Sequence, residues 1–174
     1  MSYKTFKLTK VKDKLGVFPS YLTWLPKNYP TFEVSHFLRN DLKEAEGEAL
    51  DSEKAKSEMI VTPIIKELKR KNPHSFGFFS GYEFNVDTPL ELKSYCDFIL
   101  TEAKKGEVEE GFGQCGAAMY AAQLFNERQQ TPQKAIYGCV TNAFSWAFLK
   151  LEGKNLYIDT NYVPLTFAEP QREK

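Results

Sequence analysis

Two helical segments, separated and followed by aromatic and β-branched runs, mark this chain as an α/β protein with a mixed sheet between helices. The first helical stretch lies within NDLKEAEGEALDSEKAKSEMIVTPIIKELKRKN, and the second is FGQCGAAMYAAQLFNERQQ. The strand-like runs FGFFSGYEFNVD, LKSYCDFIL, KAIYGCVT, FSWAFLKL and NLYID surround the second helix. At 174 residues the length suits about one domain, on a usual span of roughly 100–200. The division expected along it is an N-terminal extension over 1–40 packed on the core, the main domain over 41–162, and a tail over 163–174. That tail includes TFAEPQREK, which stops without a closing element, as a chain that continues would.

Taken in order, YKTFKLTKV alternates Phe6, Leu8 and Val11 loosely and predicts a short edge strand. Asp41 to Leu50 is rich in Glu, Ala and Leu, strong helix formers. Asp51 or Ser52 can cap the next helix. Ile60, Val61, Ile64, Ile65 and Leu68 recur at helical spacing as one apolar stripe. Pro63 inside that run removes a backbone donor. Either the helix kinks there, or Thr62 caps a fresh helix with Pro63 at its first position. Strands are predicted over 76–87, ended by Thr88-Pro89, over 92–100, and at EAKK (102–105). Gly106 to Gly113 reads as a polar loop. A helix follows over 112–130, whose Ala117, Ala118, Ala121 and Ala122 permit close approach to a sheet. Strands over 134–141, 144–151 and 155–159 complete the pattern, the last two joined by a turn at Glu152-Gly153-Lys154.

Composition removes several functional classes. Lys and Arg number 23 and so do Asp and Glu, so bulk charge cannot hold the chain to nucleic acid, and phosphate contacts must come from local patches. Residues 1–16 carry a local +4 and KELKRK (66–71) a local +3, whereas 39–58 carries −3. No apolar run approaches the roughly 18 residues of a membrane span, and MSYKTFKLTKVKDKLG lacks the apolar region of a secretory signal. Cys96, Cys115 and Cys139 are odd in number and widely spaced, which fits reduced thiols in a cytoplasmic protein better than a disulfide or zinc framework. His36 and His74 are too few for a histidine metal site. The phosphate-binding pattern G-x-x-x-x-G-K-[ST] does not occur, so no nucleotide cofactor is expected.

The chemistry-bearing string is DFIL followed closely by EAKK. Side chains two apart on a strand share a face, so Glu102 and Lys104 point together. With Asp97 brought alongside, two carboxylates and the backbone carbonyl of Ala103 would form a hard oxygen site suited to Mg²⁺ (or Mn²⁺). Such a site supports attack of a metal-activated water on a phosphodiester, with a lysine to hold that water. The triplet Glu-x-Lys is not specific by itself. It occurs at Glu67, Glu91, Glu102 and Glu152, against about two expected by chance from 17 glutamates and 19 lysines. The one at Glu102 is set apart by the apolar, aspartate-bearing strand before it and the Gly-containing loop and helix after it.

In that order of pieces the chain resembles the PD-(D/E)xK nuclease superfamily, most closely the N-terminal nuclease domain of type I restriction enzyme R subunits and its stand-alone relatives. The resemblance covers about residues 50–160 and rests on five pieces in sequence. These are SEMIVTPIIKEL, YCDFIL, EAKK, GFGQCGAAMYAAQLFN and IYGCVTNAFSWAFLKL. The last is similar to a "TNG-x-x-W" segment, with Ala143 where glycine is usual. The resemblance implies a restriction-endonuclease-like mixed central sheet flanked by helices. It assigns Mg²⁺ to Asp97, Glu102 and the Ala103 carbonyl, with help from Glu58, the attacking water to Lys104, and contact with DNA or a catalytic group to Gln114. It also makes a homodimer that cuts two strands an expectation. Each role has a bland counterpart, Glu58 as one more acid of an acidic helix and Gln114 as a polar residue at a helix start.

Asp97 and Glu102 are five residues apart, about 16 Å if extended at roughly 3.3 Å per residue, too far for shared ligation. Phe98-Ile99-Leu100-Thr101 supplies no turn residue. A segment is therefore expected to be absent between about Leu100 and Glu102. The basic run Lys66, Lys69, Arg70 and Lys71 reads either as a phosphate-contacting patch or as cations at a helix C-terminus. The leading functional expectation is Mg²⁺-dependent hydrolysis of DNA phosphodiesters. The alternative is an inactive nucleic-acid-binding or defence-complex module that keeps the fold.

Overall fold

The computed structural model describes residues 3–28, 32–73, 82–92, 95–96, 101–103 and 107–165, with the side chains of residues 4, 82–83, 95–96 and 101–103 outside that set. The molecule is mixed α/β. A 3₁₀ turn (Tyr3–Thr5) leads into helix α1 (Leu8–Leu15) and strand β1 (Phe18–Tyr21). Helices α2 (His36–Glu46), α3 (Glu53–Lys56) and α4 (Thr62–Lys71) follow, the last two joined by a π-helical turn (Ser57–Val61). Short strands β2 (Tyr82–Glu83), β3 (Tyr95–Cys96) and β4 (Thr101–Ala103) precede α5 (Phe112–Arg128). Strands β5 (Ile136–Thr141), β6 (Ser145–Glu152), β7 (Asn155–Ile158) and β8 (Val163–Pro164) end the described chain.

The main sheet runs β1-β7-β6-β5-β4, with β8 on β6 beyond β7. β5, β6 and β7 form an antiparallel meander, whereas β1 pairs parallel to β7 and β4 parallel to β5. β2 and β3 pair antiparallel as a separate ribbon. The β6–β7 turn falls at Glu152-Gly153-Lys154 as expected, with Gly153 at φ +57°. Of the strands expected over 76–87 and 92–100, Tyr82–Glu83 and Tyr95–Cys96 are described as strands, and residues 84–92 turn between them through a bridge from Asp87 to Leu92.

The expected N-terminal strand is instead helix. Leu8, Val11 and Leu15 follow a three–four spacing, with Val11 and Leu15 buried, and Gly16 ends the helix at φ +61° while its N–H reaches back to Lys12 and Val11 carbonyls. That left-handed glycine is the usual helix stop. Tyr3, Phe6, Val11, Leu15 and Val17 join one core with α5 and the inward residues of β5, β6 and β7. Burying each large side chain contributes roughly 1.5–3 kcal/mol.

A second, smaller core packs Ala45, Ile60, Val61, Ile65 and Ala143 with Trp146 beside them. Ala147, Leu149 and Leu151 belong to the first core and Trp146 to the second. Alternation along β6 therefore puts α5 on one face of the sheet and the α2–α4 group on the other. Pro63 lies in the first turn of α4, where a missing N–H is tolerated. Thr62 does not cap that helix: the backbone runs into it helically from the π-helical turn, with the Thr62 N–H bonded back to the Ser57 carbonyl. Ser52 caps α3 by accepting from the Ala55 N–H at 3.0 Å. The stripe on α4 differs from expectation at one place: Leu68 is 48% exposed, and Glu67 is buried in its stead.

α5 is seated by glycine. A Cβ on Gly113 would meet the Phe6 carbonyl oxygen at 2.4 Å and Lys7 backbone atoms at 2.5 Å. One on Gly138 would meet only the side-chain tips of Met119 and Cys115, at 2.6 and 2.7 Å. Gly113→Ala should therefore destabilise by about 1–3 kcal/mol or more despite better helix propensity. Gly138→Ala should cost less, because its neighbours can rotate away. Thermal melts of the two variants check that order.

Helix α1 is tied to the 88–91 turn by charge. Lys10 reaches Glu91 at 2.6 Å and Lys14 at 2.5 Å. These two ammoniums, Lys10 first, hold the Glu91 carboxyl at about 2 against an ordinary 4.5. A lowered folded-state value stabilises above 4.5 and is lost as pH falls toward 2. Melting temperature measured across that window should fall less steeply in Glu91→Gln than in the unaltered protein.

Candidate functional site at the carboxyl ends of β4 and β5

β4 and β5 are parallel and linked through α5, so their carboxyl ends lie at one edge of the sheet. Glu102 is paired with Val140 and Ala103 with Thr141. Lys104 follows directly in the chain. α5 begins at this same edge, and in its first turn Gln114 is buried, 5% exposed. In open α/β sheets this edge is the usual place for a ligand crevice.

The turn between β5 and β6 closes the edge. Asn142 Oδ1 accepts the N–H groups of Phe144 (3.2 Å) and Ser145 (2.8 Å). Thr141 Oγ1 takes the Ala143 N–H at 2.9 Å and donates to the Ser145 carbonyl at 2.9 Å. Trp146 Nε1 donates to the Ala143 carbonyl at 3.0 Å. Thr, Asn and Trp of TNAFSW are thus turn-holding residues. Ala143, where the resembled segment has glycine, sits at φ +79° and is wholly buried. A left-handed non-glycine residue of this kind costs about 1–3 kcal/mol and persists only when its surroundings enforce it.

The π-helical turn bearing Glu58 packs at this edge too, since Ile60 and Val61 share a core with Ala143. Lys56 lies 5.7 Å from the Phe144 ring centre. Glu58 itself points outward, 65% exposed, with Lys54 at 3.8 Å. A cleft of about 320 Å³ nearby is lined by Glu46, Glu48, Asp51, Lys56 and Phe144. At the start of α5 a second cleft of about 330 Å³ is lined by Lys7, Leu8, Glu109, Glu110 and Gly113. Glu109 there accepts from the Tyr162 hydroxyl at 2.8 Å, and burial with that carboxylate raises the Tyr162 phenol. The segment read as a polar loop thus carries a 3₁₀ turn, Val108–Gly111, whose ends are buried.

Asp97 and Lys104 lie outside the described residues, as does the stretch 97–100 on which the expected missing segment turns, and the Glu102 side chain is not described. Among the described residues no group of three or more His, Cys, Asp and Glu converges on a common point. By chemistry the donor set of two carboxylates and a main-chain carbonyl fits a hard divalent cation.

The basic run on α4 is largely engaged within the protein. Glu67 accepts the Ser35 hydroxyl at 2.7 Å and the Ser35 N–H at 3.0 Å. Ser35 in turn caps α2 by accepting from the Leu38 N–H at 3.3 Å. In a capping box a glutamate within the same helix takes the cap residue's N–H. Here position 38 is leucine, and Glu67 supplies that acceptor from another helix. Arg70 (3.2 Å) and Lys71 (3.7 Å) flank the same carboxylate. Lys71 also donates to the Glu33 carbonyl at 2.7 Å, and Lys69 to the Pro73 carbonyl at 2.6 Å. Lys66 is exposed.

Asp159, unremarked in the sequence, is fully buried. Burial alone would raise its carboxyl, but the N–H groups of Leu25, Asn161 and Trp24 outweigh it and hold the group below its ordinary value. It pins the 24–25 segment against the break between β7 and β8. Like Glu67, it binds backbone donors far away in sequence, which no local pattern announces.

No family model, curated protein or solved structure matches this chain.

The Ser35 hydroxyl and N–H, with Arg70 and Lys71, hold the Glu67 carboxyl below its ordinary value against the opposing effect of burial. Glu67→Gln keeps the shape but puts an amide donor where two donors already point. Its melting temperature at neutral pH should drop, and protection of α2 amides from hydrogen exchange should drop with it. Exchange at α5 should not change.

Proposed function

We propose that the chain is a Mg²⁺- or Mn²⁺-dependent nuclease that hydrolyses DNA phosphodiesters at the carboxyl ends of β4 and β5. The observation that carries this reading is the parallel β4–α5–β5 unit. Among the described residues it sets Glu102 on the last strand of the sheet and returns the chain with Gln114 in the first turn of α5, and Lys104 stands two residues after Glu102 in sequence. The left-handed backbone at Ala143, at the position where the resembled segment carries glycine, supports the same reading.

In this reading Asp97, Glu102 and the Ala103 carbonyl hold the cation, and Glu58 reaches it or its waters from the π-helical turn. A cation held there polarises a phosphoryl oxygen and acidifies a bound water. Lys104 positions the attacking water and offsets charge that builds on the phosphate. Gln114, at the start of the neighbouring helix, orients the substrate or a catalytic group. DNA is the expected partner.

Conversion of supercoiled plasmid in Mg²⁺ or Mn²⁺ tests this directly. Lys104→Ala should slow cleavage by about 100-fold or more. Equal rates for the two proteins would remove Lys104 from the chemistry and the nuclease reading with it.

A further inference from the structure

The beginning of α2 and the end of α4 meet in a surface that the proposed hydrolysis does not use. Phe37 lies on α2 with 55% of its surface exposed, and Phe32, just before the helix, with 71%. The His36 ring lies 3.9 Å from the Phe37 ring centre, and the Arg70 guanidinium 5.5 Å from it. Lys66, Lys69 and Arg70 are three and four residues apart on α4, hence on one helix face. Arg39, 58% exposed, continues the positive charge onto α2.

Four cations on two helices, Lys66, Lys69, Arg70 and Arg39, thus lie on the elements that carry or adjoin these exposed rings, with Arg70 directly beside Phe37, in a chain whose overall charge is zero. The carboxylates among them are Glu67, buried and bound to Ser35, and Glu33, whose side chain is 90% exposed and 3.8 Å from Arg39. Glu67 also holds Arg70 beside the ring, so that guanidinium is already ordered.

We propose that this surface binds single-stranded nucleic acid, with a base stacked on Phe37 and backbone phosphates on Lys66, Arg70 and Arg39. A flat ring flanked by a guanidinium matches an unstacked base beside its phosphate. A duplex hides its base faces and could use only the charges. Charge here is interleaved with the rings rather than fringing a continuous apolar stripe, which favours a polynucleotide over a bilayer surface. The inference rests on the nucleic-acid reading above for its choice of ligand and is independent of the chemistry at Lys104.

Fluorescence anisotropy with a labelled oligothymidylate of about twenty nucleotides, in EDTA so that no metal-dependent cleavage intervenes, reads the binding. Phe37→Ala should weaken it roughly fivefold or more, the usual effect of deleting one stacking ring. Lys66→Ala with Arg39→Ala should flatten the dependence of log affinity on log salt by about 0.7 per lost phosphate contact. All three side chains are exposed, so folding is not at stake, and circular dichroism verifies it. Phe18→Ala, a similarly exposed ring on β1, should change nothing. Affinity unchanged in both patch variants, no binding by the unaltered protein, or sedimentation with phosphatidylserine vesicles in place of oligonucleotide binding would each overturn the proposal. Because the assay needs no turnover, a plasmid that stays uncut leaves this result interpretable. Equally, an oligonucleotide that fails to bind here leaves the plasmid result standing.

Discussion

The close seat of α5 on the sheet is the constraint on which the other elements depend. Residues of its first ten positions are buried on nearly every side, against β5 and β7 on the sheet and against the N-terminal segment. That requires backbone approach where side chains would normally keep elements apart. Gly113 lets the chain at Phe6 and Lys7 lie directly on the helix, Gly116 receives the Leu156 side chain, and Gly138 on β5 receives Met119 and Cys115. Packing at this density tolerates little added volume. Because α5 is also the connection from β4 to β5, its seat determines where the carboxyl end of β4 lies.

The same geometry brings the second core to the candidate site. β6 contributes alternate residues to both faces, so the α5 side and the α2–α4 side are coupled through one strand. The TNAFSW turn at its start is over-determined by Thr141, Asn142 and Trp146, and the left-handed Ala143 is the residue so constrained. The helical turn carrying Glu58 packs on that Ala143. A rigid turn between two helix-bearing layers suits a site that draws on both. The cross-helix cap made by Glu67 does similar work at the far end of α4, fixing α2 to it.

What could be read from residues alone depended on whether the signal was local. α5 and the β5–β6–β7 meander were legible because their apolar patterns are long and Gly153 marks a turn between them. Helix α1 was hidden by its lysines, since with Leu8, Val11 and Leu15 as its spaced apolar residues it reads loosely either way, although Gly16 carried the stop signal. β1 was not legible, because FPSY holds a proline, and a proline is tolerated only on an edge strand such as this one. The exchange of Leu68 for Glu67 on the buried side of α4 depends on Ser35, 32 residues earlier. The mixed sheet between helices agrees with the order of strand-like and helical runs, whereas the parallel pairing of β4 with β5 joins segments some 38 residues apart and had no local signal. The acidic pair itself was legible as a motif and not as geometry, since a Glu-x-Lys triplet recurs in this chain by composition.

The central claim is that Glu102 helps grip a divalent cation at the edge of the sheet. Calorimetric titration with Mn²⁺, comparing the unaltered protein with Glu102→Gln, measures this without reference to any substrate. The account predicts saturable Mn²⁺ binding that the substitution abolishes while the melting temperature is kept. Identical binding by both proteins, or none by the unaltered one, would contradict it.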